Sequence, residues 1–141
     1  MPVPKIKWDP DQIIKIARNI SAGSSIYQKT HGTHGGFLIH NGEVAYECED
    51  IGRHNAIDKA IGYLAMQRFD PDACMIYSTG RASADMVRKV VRAGIPFFLT
   101  KAAPTRAAID MANRFGLTLI CNLRPDQFEL YSPIDASGEN K

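Results

Sequence analysis

Six polar side chains, Asp50, Arg53, His54, Asn55, Asp58 and Lys59, fall within ten positions of "EDIGRHNAIDKAIG", residues 49–62, where an apolar helical repeat begins. His54 and Asp58 stand four apart, as do Asn55 and Lys59, so each pair shares a helix face. A histidine beside a carboxylate is raw material for acid–base work, but no nucleophile accompanies this pair. The same pairs would equally stabilise a first helical turn.

A second cluster, "STGRASADM", offers Gly80 for close backbone approach, Arg81 to fork onto an anion, and Ser83 to cap a helix with Asp85 two positions on. A phosphate fits there, and so does an ordinary capped turn with a surface arginine. "TKAAPTRAA" is plainer: Thr105 as a cap explains most of it, with Lys101 and Arg106 adding charge. "HGTHGG", residues 31–36, brings His31 and His34 together without a carboxylate or cysteine at fixed spacing, which favours a glycine-permissive polar loop over a metal site. Cys48, Cys74 and Cys121 are odd in number with no C-x-x-C spacing, so neither a disulfide framework nor a zinc knuckle is expected. Buried free thiols are the expectation.

These turns need elements to position them. "WDPDQIIKIARNI" reads as an amphipathic helix with Asp9 as cap, Pro10 at its first position and apolar residues at 13, 14, 16, 17 and 20. "GGFLIHNGEVAYEC" reads as a hairpin turning on Asn41-Gly42. A helix from Asn55 to Arg68 follows, with Ile57, Ala60, Ile61, Leu64 and Ala65 on one face. "ACMIYST" and "IPFFLT" are strands, each leading to a helix, Ser83 to Ala93 and then one carrying Ala108, Met111, Ala112 and Phe115; Gly94 and Gly116 are the stops. "LTLICN" and "QFELYS" close the chain as strands. Strands alternating with helices require crossovers, so the expectation is a three-layer α/β/α sandwich with a mostly parallel sheet and an antiparallel hairpin at one side. In such sheets ligands sit beyond the carboxyl ends of the strands, facing helix N-termini. Three polar turns at one such edge point to an anion site.

At 141 residues and 45% hydrophobic the chain is long enough for one domain with a real core, and that is the domain expectation, with ordered structure from about 8 to 132 and loose termini. No apolar run is long enough for a membrane span or a secretory core, which suggests a cytoplasmic protein that does not bind membrane. A formal charge of +2, with basic residues spread and matched by acids, argues against nucleic acid. Arg81, Arg88, Lys89 and Arg92 form the clearest basic cluster, a pattern that is usually a solvated face.

The element order resembles the cytidine deaminase-like fold. Its zinc enzymes use H-x-E and P-C-x-x-C, whereas His54 here is followed by Asn55-Ala56 and the second site reads "STGRAS", so no zinc is expected. "THGTHGG", "EDIGRHNAIDKAIG", "STGRASADMVRKVVRAGIP" and "AAPTRAAIDMANRFGLTLI" together resemble the formate dehydrogenase accessory sulfurtransferase family, FdhD, from about residue 8 to residue 132. That resemblance implies a sulfurtransferase, or sulfur carrier, that takes sulfur from a cysteine desulfurase as a cysteine persulfide. The sulfur would pass to the molybdenum or tungsten bis-molybdopterin guanine dinucleotide cofactor of formate dehydrogenase. The family's carrier is a C-x-x-C pair just upstream of the first helix, absent from this chain, so no catalytic residue is assigned. Two readings stay open, a truncated chain and a shortened relative that binds without transferring sulfur.

The resemblance implies a binding surface made of Arg53, His54, Asn55, Asp58, Gly80, Arg81, Ser83 and the loop Asn122, Leu123, Arg124, Pro125, Asp126 and Gln127. Arg53 and Arg81 would clamp phosphates, His54 and Asn55 would bond the nucleotide or pterin, and Asp58 would orient His54. Gln127 stands where a second basic residue is expected. GDP would mimic the nucleotide half, and a homodimer is expected for this fold. "STGRAS" is also similar to the phosphate turns of sugar isomerase domains, which leaves a non-catalytic nucleotide- or phosphosugar-binding module as the alternative.

Overall fold

The computed structural model describes residues 9–23 and 34–132. The chain runs α1 (Pro10–Gly23), β1 (His34–His40), β2 (Glu43–Asp50), α2 (Arg53–Gln67), a 3-10 turn (Pro71–Ala73), β3 (Cys74–Ser78), α3 (Ala84–Arg92), β4 (Phe97–Thr100), α4 (Arg106–Phe115), β5 (Thr118–Cys121) and β6 (Glu129–Ser132). His31 and the terminal stretches read as loose lie outside the described residues.

Local chemistry sets the boundaries. Asp9 starts α1, its Oδ1 accepting from the Asp11 amide at 3.0 Å. Ser83 and Thr105 cap α3 and α4 by accepting from the Met86 and Ala108 amides at 3.3 and 3.1 Å. Gly94 and Gly116 follow those helices at φ +79° and +74°, and Asn41 and Gly42 turn the hairpin at +54° and +83°, the left-handed pair that a two-residue turn requires. α2 begins two residues earlier than its apolar repeat suggested, at Arg53, with Gly52 as an N-cap that has no capping side chain.

The six strands form one sheet in the order β2-β1-β3-β4-β5-β6. Only β3–β4 and β4–β5 pair in parallel; β1–β2, β1–β3 and β5–β6 are antiparallel. The sheet is thus mixed and carries the antiparallel hairpin expected at one side, and it has fewer parallel pairings than expected for a definite reason. β2, β3, β4 and β5 do run in one direction, as crossover helices demand, but β1 is inserted between β2 and β3. α2 must therefore cross over β1, and Gly36 lets it: a Cβ there would sit 2.5 Å from the Ala56 carbonyl oxygen.

Alternate residues of each strand face opposite layers. Leu38, Ile76, Phe98 and Leu119 pack with Ile57, Leu64, Met86, Val87, Val90, Ala108 and Ala112 of α2, α3 and α4. Phe37, Ile39, Met75, Tyr77, Phe97, Leu99 and Ile120 pack with Ile13, Ile16, Ala17 and Ile20 of α1. The three-layer sandwich follows, and because four strands are co-directional, their carboxyl ends share one edge.

Candidate functional site

At that edge the polar turns are stitched together by main-chain bonds. The Gly35 amide donates to Thr79 Oγ1 at 2.8 Å and the Thr79 amide returns a bond to Gly35 O at 3.1 Å, joining "HGG" to "STG". The Lys101 amide donates to Ser78 O at 3.3 Å, and the Thr105 amide to Ala82 O at 2.9 Å, joining the β3–α3 and β4–α4 turns. The Asn122 and Leu123 amides then donate to Ala102 O and Thr100 O, both at 3.1 Å, which brings in the loop after β5. Buried Thr100 holds the centre: its hydroxyl donates to Gly80 O at 2.6 Å and accepts from the Ala102 amide at 3.0 Å.

Arg53, His34 and Gly80 meet here. A Cβ on Gly80 would lie 3.1 Å from His34 Nδ1, 3.2 Å from Arg53 Cβ and 3.3 Å from Arg53 Cδ, so glycine is what lets the two cationic-type side chains close over this turn. Arg53 Nε is buried with no hydrogen-bond partner. A buried guanidinium N–H is costly to leave unpaired unless an anion completes it. Asp50 organises the approach: Oδ1 accepts from the Gly52 amide at 2.9 Å and Asn55 Nδ2 at 3.4 Å, and Oδ2 pairs with Lys59 at 2.9 Å. Those donors pull its carboxyl down to about 2, Lys59 first, then Gly52.

Other expected residues land differently. Asp58 does not orient His54: both its oxygens accept from Lys89 Nζ, at 2.9 and 2.8 Å, tying α2 to α3. Lys89 is thereby matched, as is Arg88 by Asp85 at 3.0 Å, so the basic cluster on α3 is largely compensated. Arg81 is exposed beside the α3 start. Leu123 is 1% exposed and belongs to the core, offering the loop only its main chain. Asn122, at φ +52°, turns its amide to Glu129 Oε1 at 2.5 Å, where Tyr131 also donates at 2.7 Å. Arg124 donates to Lys101 O at 2.7 Å and to Leu123 O at 3.0 Å, while its amide closes a turn onto Gln127 O at 2.8 Å. Arg18 of α1 anchors Pro125 O at 2.9 Å. Asp126 and Gln127 are exposed at the loop tip. Burial, and then Arg124, lower the Lys101 pKa.

His34, Asp50, Thr79 and Thr100 were not among the expected site residues. Asp50 carried a signal, an Asp-x-Gly step just ahead of a helix, which is an Asx turn; Thr100 carried only its place as the polar end of an apolar strand. The edge as a whole presents the starts of α2, α3 and α4, with unpaired amides and positive dipole ends, plus Arg53, Arg81, Lys101, Arg106 and Arg124. Such a set can hold an extended, multiply charged anion. Cys48, Cys74 and Cys121 are buried and away from it in function, and burial raises all three thiols, Cys74 to about 11 and Cys121 to about 12. Among the described residues no three His, Cys, Asp or Glu side chains gather as a metal would need, and no helix is long and apolar enough to cross a membrane.

The sequence profile described as the FdhD/NarQ family matches residues 1–136. The sulfur carrier protein FdhD of Thermoplasma acidophilum is 35% identical over 125 residues, which are 88% of this chain and 44% of that protein. This chain thus spans about half the length of such relatives. A crystal structure from Desulfotalea psychrophila, assigned as a formate dehydrogenase accessory protein, superposes with a TM-score of 0.82 at 32% identity, over 94% of this chain and 59% of that one. The dCMP deaminase of cyanophage S-TIM5 shares the fold, with a TM-score of 0.51 at 16% identity over 82% of this chain and 99% of that one. On the profile match and this level of identity, the chain belongs to the FdhD/NarQ family.

Proposed function

We propose that this chain binds the guanine dinucleotide end of a molybdenum or tungsten bis-molybdopterin guanine dinucleotide, as cargo to be sulfurated for formate dehydrogenase. The observation that carries the reading is the convergence on one sheet edge of three helix starts and a cationic set in which Arg53 Nε is buried without a partner. The donor set suits the ligand: a pyrophosphate asks for arginine forks and helix-start amides, and both are present. Arg53 and Arg81 clamp the phosphates, Gly80 admits the backbone close to them, and Ser83 keeps its hydroxyl proton to donate while its oxygen caps α3. His54 and Asn55 bond the base or pterin. The loop 122–127 closes the far side through its main chain and Arg124.

The sulfur would arrive as a persulfide from a cysteine desulfurase, with formate dehydrogenase as recipient, as the family resemblance implies, and a homodimer is the working assembly expected for the fold. Cys48, Cys74 and Cys121 are buried with raised pKa values, so the persulfide is assigned to none of them. Calorimetric titration with GDP tests the site. Wild type is expected to bind and Arg81→Ala to bind about 10- to 100-fold more weakly, the worth of a charge-assisted hydrogen bond. Absence of binding by wild type, or equal binding by both, would sink the reading.

A further inference from the structure

We infer that Asp50 is the positioning residue of this site, locking the β2–α2 turn so that Arg53 is presented to the diphosphate of a nucleotide. α2 begins on Gly52, which has no side chain to cap the helix. Two residues upstream, Asp50 organises the turn instead: its Oδ1 takes the Gly52 amide at 2.9 Å and Asn55 Nδ2 at 3.4 Å. Its second oxygen is held by Lys59, nearly two turns into the helix, at 2.9 Å. One carboxylate thus ties the last residue of a strand to three points of the turn and helix that follow, and the backbone between them has little freedom left. Asp50 is itself fixed at the ladder's end, where it pairs with His34 of β1.

Arg53 is the residue this arrangement aims. Its stem rests against the Gly80 turn, with Cβ and Cδ 3.2 and 3.3 Å from the place of a Gly80 Cβ, and its Nε is out of solvent with no acceptor. An aspartate three residues away is the obvious partner for such a guanidinium, yet Asp50 is engaged by Lys59 instead. The engagement matters chemically: it keeps the carboxylate from neutralising Arg53, whose charge stays available for a ligand. Lys59 therefore has a role at a distance, occupying Asp50. The ligand in this inference is the nucleotide of the proposed function, whereas the geometry of Arg53 does not depend on it.

Two measurements separate the two. The Arg53 Nε–Hε signal in nitrogen-correlated NMR of the unliganded protein is expected to be resolved and slow to exchange in wild type and to move or exchange out in Asp50→Ala. Asp50→Asn, which keeps an acceptor for Gly52 and loses the Lys59 pairing, is expected to shift it partway, and serves if Asp50→Ala does not fold. GDP titrations are expected to show about a tenfold loss for Asp50→Ala and for Arg53→Ala, with the double variant no weaker than Arg53→Ala. An Arg53 signal indifferent to both Asp50 substitutions overturns the inference, as do additive losses. If wild type ignores GDP while the Arg53 signal still follows Asp50, the positioning stands and only the nucleotide reading fails.

Discussion

A thiol carries sulfur as an exposed thiolate, and the three cysteines here meet neither condition. The Cys48 thiol donates to the Ala56 carbonyl at 3.3 Å beneath α2, and Cys74 and Cys121 sit within strands at 1% and 0% exposure. A disulfide reagent such as DTNB is accordingly expected to release no thiol from the native protein within minutes and three equivalents after unfolding. One fast equivalent in the native state would show that burial does not silence them. At this scale the sequence was readable where a residue type has one dominant use and opaque where it has two. Gly80 beside Arg81 announced a close approach, and the structure sets Arg53 and His34 against that glycine. Asp58 and Leu123 were misplaced because a carboxylate four residues from a histidine can equally reach a lysine on another helix, and an apolar loop residue can turn inward. Neither outcome is set by neighbours in sequence.

Element starts and stops were legible because they are local: Asp9, Ser83, Thr105, Gly94, Gly116 and Asn41-Gly42 all act over four residues or fewer. Sheet order was less so, since the insertion of β1 between β2 and β3 depends on contacts distant in sequence. Its one local trace is Gly36, which the sequence placed in a glycine-rich loop and at the start of the hairpin without marking a close approach. Gly36→Ala is expected to destabilise by about 2 kcal/mol or more, because the clash is with backbone at 2.5 Å and α2 must lift off β1 to relieve it. Urea denaturation would measure the loss, and a change under about 0.5 kcal/mol would mean that α2 does not lie so close. Ser83→Ala tests a cap that also faces the site: about 1 kcal/mol should be lost from stability. GDP affinity should fall with it if the hydroxyl proton meets a phosphate, and remain unchanged if Ser83 only caps.

Across the whole molecule the ionisable groups set a stability profile whose two limbs have different origins. Asp50 and Glu129 are held below the usual carboxylate range by their hydrogen-bond donors, Lys59 for the first and Tyr131 for the second. Groups with lowered folded values contribute stability that is fully present above the ordinary carboxylate pKa and is lost as pH falls, for Asp50 through about 2. Cys74 and Cys121 act in the opposite sense. Burial raises them from 9.0 to about 11 and about 12, so their contribution is complete below the ordinary thiol value and is lost as pH rises toward those figures. By this linkage the loss is on the order of 3 kcal/mol for Cys74 and about 4 kcal/mol for Cys121, because the unfolded chain ionises first. Urea midpoints should therefore be flat from about pH 5 to 8 and fall steeply above 9. Replacing Cys74 and Cys121 with alanine lowers the plateau by leaving cavities, yet it should make the alkaline limb shallower, since Cys48 is then the one buried thiol left to ionise in the unfolded chain first. The comparison to make is slope, not height. An alkaline slope that survives in the double variant would assign the loss to other groups, such as Tyr46 and Tyr131, whose values are also raised.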